Sequence, residues 1–304
     1  MSSDAKTLYG GQAVIEGVMM RGPRCFAVAA RRASGEIALV CEPVPKILRP
    51  AWQKVPFLRG GFALVDAMAL GTRSLFWAAK VAEADTAPAS GAGASSKVAD
   101  IAIGGALFTG LGFAVLLFKV LPQLLLEPLK QGQPVWRIGL IDFAVRLCIF
   151  TGYIALVARM RHVHRVFQYH GAEHKAINTL EAGLPLTVEN VQAASRLHPR
   201  CGTSFLVLVI LLSVLAVAPF YGQPLPVRIL IQLGLLIPVA GVGFEILRLA
   251  GLLRGNPIAD ALSRPGMWTQ LLTTREPDAA QCEVAIASLE AVLAATAAET
   301  SPTA

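Results

Sequence analysis

The sequence predicts an α-helical polytopic membrane protein with about four transmembrane helices. A small N-terminal β-containing cytoplasmic region and a C-terminal cytoplasmic helix flank the spans. Three observations predict this. Of 304 residues, 54% are hydrophobic and only 15% charged, too apolar for an ordinary soluble domain. The apolar residues gather into four runs, at 98–121, 138–160, 204–220 and 227–249, each near the roughly 20 residues a helix needs to cross hydrocarbon. The basic residues gather between the runs, and unevenly.

That unevenness sets the expected orientation. The central connection carries Arg161, Arg165, Lys175, Arg196 and Arg200, and the regions before the first run and after the last are also basic. The connection between the first two runs has Lys130 and Arg137, with Lys119 at its edge, and residues 221–226 have neither Lys nor Arg. The positive-inside rule puts the N-terminus, the central connection and the C-terminus in the cytoplasm, in a multi-pass protein of the inner (cytoplasmic) membrane. The net charge of +7 and pI near 9.4 follow from those loops, so membrane lipid rather than nucleic acid is the expected partner. Five cysteines, an odd number without paired spacing, suit a reducing compartment. No apolar stretch follows a basic region at the N-terminus, so no cleavable signal peptide is expected.

The elements follow in order. Residues 1–55 form a β-rich cytoplasmic region. Residues 12–20 are β-compatible, and 24–32 with 36–42 predict a hairpin around Ala33-Ser34-Gly35. Glu16 would share a strand face with Val14 and Val18, as a carboxylate paired with Arg21 or Arg59 or as a functional group. Residues 56–83 predict an amphipathic interfacial helix. Its charges Arg59, Asp66, Arg73 and Lys80 recur every seven residues as one stripe, on the membrane surface or against protein. Residues 84–97 are a flexible small-residue linker. Spans one and two occupy 98–160, and spans three and four occupy 204–250. Asp142 and Arg146 can pair within span two, as can Glu245 and Arg248 within span four. In the C-terminal region, 251–304, residues 264–268 read as a loop whose Trp268 sits at the headgroups. Asp278 and Gln281 predict a capping box opening a helix over 279–297, with Val284, Ile286, Leu289, Val292 and Leu293 as its buried face.

The chemistry concentrates in residues 161–203, which hold all five histidines. A helix over 161–182 ends at Gly183 and Pro185, and Thr187 caps a short helix to about Arg196. His170-Gly171-Ala172-Glu173-His174 has the form H-x-x-E-H. On a helix both imidazoles share a face and reach one divalent cation, with zinc the expected metal, and Glu173 is placed as a general base. His198-Pro199-Arg200-Cys201 supplies further ligand spacing. A closed structural site would use His170, His174, His198 and Cys201. An open catalytic site would use three ligands, the third being His198 first, then Glu245, with Glu181 and Glu189 weaker. His162 and His164 read as interfacial polar residues.

Four motifs, Gly10 to Pro23, Tyr169 to Lys175, His198 to Ser204 and Leu272 to Pro277, resemble the YqhQ-like family (domain of unknown function 1385). These are bacterial membrane proteins described as predicted metal-dependent enzymes. The resemblance spans residues 8–297. It implies a metal site at His170, His174 and His198 with Glu173 and Cys201 near it, and it adds Glu16 as a motif residue. It supplies no reaction.

Three functions are compatible with these features. The first is a membrane-bound metal-dependent hydrolase acting at the cytoplasmic face on a peptide or lipid-linked substrate, with Glu173 and Glu16 as catalytic candidates. The alternative is a non-catalytic scaffold or assembly protein with a structural zinc. A transporter is third, suggested only by Asp142 and Arg146.

Overall fold

The computed structural model describes residues 9–44, 55, 57–86, 105, 108–252 and 256–298. Most of the expected 84–97 linker and the start of the first apolar run lie outside these residues. Strands β1 (Gly10–Val14), β2 (Gly17–Arg21), β3 (Cys25–Arg31) and β4 (Ile37–Pro43) form one antiparallel sheet in the order β1-β2-β3-β4. The expected hairpin is β3–β4, turning at Gly35 with φ +90°. Glu16 departs from expectation. It sits in the β1–β2 turn with φ +51°, because Val14 already pairs with Gly17 and the chain must reverse between them.

The helices are α1 (Leu58–Thr86), α2 (Phe108–Leu129), α3 (Val135–Val157), α4 (Arg161–Glu181), α5 (Val188–Ala193), α6 (Gly202–Val217), α7 (Leu225–Gly234), α8 (Leu236–Leu252), α9 (Pro257–Thr273) and α10 (Ala279–Ala298). Side-chain alternation divides the sheet between two cores. Val18, Met20, Cys25, Ala27 and Ala29 pack with Tyr169, Ala172 and Ile177 of α4 and Val284 and Leu289 of α10. Val14, Met19, Phe26, Val28 and Ala30 pack with Leu70 and Ala78 of α1. The sheet is thus the middle of three layers, and its central strands are apolar on both faces. Three of the four regularly spaced charges of α1 pair with protein. Asp66 pairs with Arg21 of β2, Arg73 with Glu42 of β4, and Arg59 with Glu245 of α8. Ser288 of α10 reaches into the sheet, donating to the Ala27 carbonyl at 3.0 Å and accepting from the Met20 N–H at 3.1 Å.

Helices α2, α3 and α10 are long and apolar enough to cross a membrane, and α7 with Leu236–Leu249 makes a fourth candidate bent by 47°. Burial separates them. The apolar window of α10 is 44% buried, against 17% for α2 and for α3, because α10 covers the sheet. The apolar segment Phe205–Phe220 is shorter. Helix α2 runs to Leu129, past the expected end at 121 and through Pro122. A π-turn at Leu116–Val120 ends two residues before that proline and absorbs the ladder bond it cannot make. Residues 264–268 lie inside α9 rather than in a loop. The Pro265-Gly266 pair signals a break, yet packing along α6 keeps the segment helical, and Thr269 donates to the Gly266 carbonyl at 2.7 Å. Where α3 gives way to α4, Met160 is extended at φ −71°, ψ 129°, so the histidine helix leaves the line of α3.

Candidate metal centre

Helix α4 presents His170 and His174 one turn apart, with ring centroids 4.4 Å from each other. Cys201, the N-cap of α6, accepts the Thr203 N–H at 3.4 Å and stands 3.3 Å from His170 Nε2. One donor atom from each of His170, His174 and Cys201 lies within 4.8 Å of the others. The edge of a tetrahedral zinc site between an imidazole nitrogen and a thiolate is about 3.5 Å, so the Cys201–His170 pair is already at coordination spacing.

The two imidazoles are oriented by the backbone. His170 Nδ1 lies 2.9 Å from the Thr273 carbonyl oxygen, and His174 Nδ1 lies 2.6 Å from that of Arg196. A carbonyl only accepts, so both Nδ1 atoms carry the proton and both Nε2 atoms present a lone pair. Metal-ligating histidines are held in this way by a second partner. Three soft or borderline donors with fixed tautomers fit a divalent cation of the zinc class. His170 is half-buried while His174 and Cys201 are buried, so His170 is the most exposed of the three.

His198 stands behind this trio. Its ring centroid is 5.7 Å from that of His174, and its Nε2 is buried without a hydrogen bond, 3.6 Å from a Glu181 carboxylate oxygen. The cause is the backbone of residue 198, clamped by Gln270, whose Oε1 accepts the His198 N–H at 2.9 Å and whose Nε2 donates to the His198 carbonyl at 2.8 Å. Burial pulls the His198 imidazole down to about 4, and the Arg200 guanidinium adds to the effect.

Glu173 is buried and packs its carboxyl against Gly11 of β1, where a Cβ would stand 2.9 Å from Glu173 Cγ. Burial pushes its carboxyl up to about 7, against the opposing pull of His170 and the Gly11 N–H. A carboxyl poised near neutrality suits general acid–base work. The other expected site residues lie elsewhere. Glu16 accepts from Arg165 Nε at 2.5 Å and from the Tyr169 hydroxyl at 3.3 Å, pinning the start of α4 to the sheet in place of the expected Arg21 or Arg59 pairing. Burial and that carboxylate push the Tyr169 phenol up. Glu245 accepts from Arg59 and from the Phe57 N–H, and it is not in the donor cluster. His162 and His164 are exposed.

Residues of the Leu272 to Pro277 motif, to which sequence analysis assigned no place in the site, complete it. Glu276 lies 2.9 Å from Lys175 Nζ and 3.3 Å from Arg196 Nε, and Arg196 also donates to the Thr274 carbonyl at 2.6 Å. Arg275 N–H donates to the Phe167 carbonyl at 2.8 Å, and its own carbonyl oxygen would lie 2.1 Å from a Cβ on Gly171. The Leu272 to Pro277 motif is therefore the strap that holds α4 and the 196–201 turn together. The glycine inside H-x-x-E-H was the available clue, since a backbone that close admits no side chain.

The fold and donors define a class: a largely helical protein with a layered α/β/α body, and a two-histidine, one-cysteine cluster where that body meets an apolar bundle. Residues 55–295 match the family described as "Protein of unknown function (DUF1385)". The chain is 36% identical over 302 residues to "Uncharacterized protein YqhQ" of Bacillus subtilis (strain 168), covering 94% of this chain and 92% of that one. It belongs to this family. No solved structure matches it.

Proposed function

We propose that this chain is a multi-pass protein of the cytoplasmic (inner) membrane and a zinc-dependent hydrolase. Its centre is His170, His174 and Cys201, it faces the cytoplasm, and its substrate is a peptide or a lipid-linked molecule. The observation that carries the reading is the pair of Nδ1–carbonyl bonds to Thr273 and Arg196, which leave both Nε2 atoms free, that of His170 3.3 Å from the Cys201 sulfur. His170, His174 and Cys201 would hold the cation as three protein donors, the number found at catalytic rather than structural zinc, and a bound cation would supply Lewis acidity to a carbonyl oxygen. Glu173, held by Gly11 and raised toward neutrality, takes the proton of the attacking water and returns it to the leaving group. The half-buried His170 edge admits the scissile bond beside the apolar helices, as suits a lipid-linked or membrane-proximal substrate.

The test is Glu173→Gln in detergent-purified protein. Metal content is expected to stay at the wild-type ratio, and hydrolysis of peptide or lipid-linked ester libraries to be lost. Retained hydrolysis sinks the assignment of the base, and absence of bound metal in the wild-type protein sinks the centre.

A second reading has its own observation. The unpartnered Nε2 of buried His198, one ring behind His174, would close the coordination sphere if the 198 turn rotated. The centre would then be a structural zinc in a scaffold or assembly protein, and Glu173→Gln would change nothing.

A further inference from the structure

The bundle of α2, α3 and α7 carries a second polar constellation, remote in sequence from the metal centre. Its outer tier is closed. Asp142, fully buried, accepts from Arg146 Nε at 2.7 Å, the Tyr221 hydroxyl at 2.9 Å and Gln123 Nε2 at 3.5 Å. Gln123 Oε1 accepts from Arg228 Nε at 2.5 Å, and Arg228 also reaches Glu127 at 2.6 Å and the Tyr221 carbonyl at 3.2 Å. These bonds tie α2, α3 and α7 together near the end formed by residues 130–134 and 221–224.

One turn deeper from that end, each helix repeats a polar group, and this inner tier is open. Lys119 lies four residues from Gln123, Arg146 four from Asp142, and Gln232 four from Arg228. Arg146 Nη2 and both amide atoms of Gln232 are buried with no hydrogen-bond partner, although Arg146 is only 4% and Gln232 only 3% exposed. Lys119 is half-buried on α2, and no ion pair holds its ammonium among the described residues. The backbone is adapted at the same level. Pro122 frees the Phe118 carbonyl inside the π-turn, and that carbonyl takes Arg146 Nη1 at 3.5 Å. The α7–α8 bend of 47° begins two residues past Gln232.

The charges do not balance at this depth. Asp142 balances Arg146, so at this depth Lys119 is left without a carboxylate, alongside the unbonded Arg146 Nη2 and the Gln232 amide. An uncompensated cation inside an apolar bundle is costly, and unpaired buried donors are rare without a ligand to meet them. We infer that α2, α3 and α7 hold a small free oxyanion, a carboxylate or a phosphate, at mid-bundle between Lys119, Arg146 and Gln232. Its oxygens accept from Arg146 Nη2, Lys119 Nζ and Gln232 Nε2, and where the ligand is a hydrogen phosphate its P–OH donates to Gln232 Oε1. A lipid headgroup does not reach this level, since Lys119 and Arg146 sit about 16 Å along their helices from either end. A broken helix beside a mid-depth polar site is the arrangement of solute-binding membrane bundles.

The full-length protein in phosphatidylcholine nanodiscs tests this, with acetate and inorganic phosphate titrated against chloride at constant ionic strength. One of the two is expected to raise the unfolding temperature saturably. Its apparent affinity should fall about tenfold or more in both Lys119→Met and Gln232→Leu. Both variants remove unpaired polar groups, so they are expected to fold and to keep wild-type metal content. Hydrogen exchange on the wild-type protein is the second readout, with the bound anion slowing exchange in α2 and α7 while α10 is unchanged. The inference is overturned if neither anion stabilises the wild-type protein, if the two variants respond as wild type does, or if exchange slows uniformly. It is equally overturned if phosphatidylglycerol discs alone produce the stabilisation.

Discussion

Gly171→Ala adds one methyl group to α4 at the point where the Leu272 to Pro277 strap crosses it. The new Cβ would stand 2.1 Å from the Arg275 carbonyl oxygen and 3.3 Å from its carbon. Both are backbone atoms, so no rotamer change relieves the contact. Carbon–oxygen contacts settle at about 3.3 Å or more, so the strap must withdraw by about 1 Å. The strap carries the Thr273 carbonyl, which holds His170 Nδ1 at 2.9 Å, and the Arg275 N–H, which donates to Phe167 at 2.8 Å. Neither hydrogen bond survives that displacement. Overpacking of this kind costs about 1–3 kcal/mol of stability. Loss of the orienting partner of one histidine costs about 10–100-fold in metal affinity. Chelator competition on detergent-purified protein measures the affinity, and denaturant unfolding measures the stability. Gly152→Ala in α3 is the control, because a Cβ there meets nothing within 4 Å. If Gly171→Ala binds metal and unfolds as wild type does, the strap does not position His170 and the reasoning fails.

Three further outcomes are expected. Cys201→Ser should weaken metal binding strongly while His198→Gln leaves the stoichiometry intact; equal loss in both, by metal analysis, would favour a four-ligand site. In metal-free protein, Glu173 ionises near 4.5 when unfolded and at about 7 when folded, so its contribution is fully present at low pH and is lost as pH rises through 7. That amounts to about 3 kcal/mol, and Glu173→Gln should flatten the dependence; parallel stability–pH curves for the two proteins would refute it. Asp278→Ala removes the N-cap of α10, where Asp278 Oδ1 accepts the Gln281 N–H at 2.7 Å and Gln281 Oε1 accepts the Asp278 N–H at 3.0 Å. A loss of about 1 kcal/mol in denaturant unfolding is expected, and an unchanged midpoint would show that the cap contributes nothing.

Features decided within a few residues were legible in the sequence. The Asp278–Gln281 box, the Thr187 cap of α5, the Gly183 stop of α4 and the turn at Gly35 all stand as expected, since each depends on neighbours within one turn of chain. The Asp142–Arg146 and Glu245–Arg248 pairs also follow from helical spacing alone. The candidate site was legible as a place and only partly as a ligand set. Spacing put His170 and His174 on one face and named His198 and Cys201 as further donors, and the donor cluster holds Cys201 with the two histidines while His198 stands outside it. The clamp from Gln270, 72 residues away, holds residue 198 where its ring falls behind His174, and it leaves Cys201 at the front.

Sequence alone therefore determined the apolar helices, the β-containing start, the capped final helix and the histidine helix, because period and capping are local physics. Tertiary structure decided which of them share a core. The sheet, α1, α4 and α10 come from the start, middle and end of the chain and meet because the central strands are apolar on both faces and need two covers. It also decided the partners of the charged residues. Glu245 had a candidate ligand position but is taken by Arg59, and Glu16 by Arg165, since a carboxylate leaving water settles on the nearest fixed donors. The orientation of His170 and His174 in the candidate metal site rests on carbonyls 103 and 22 residues distant, which no spacing rule could have named.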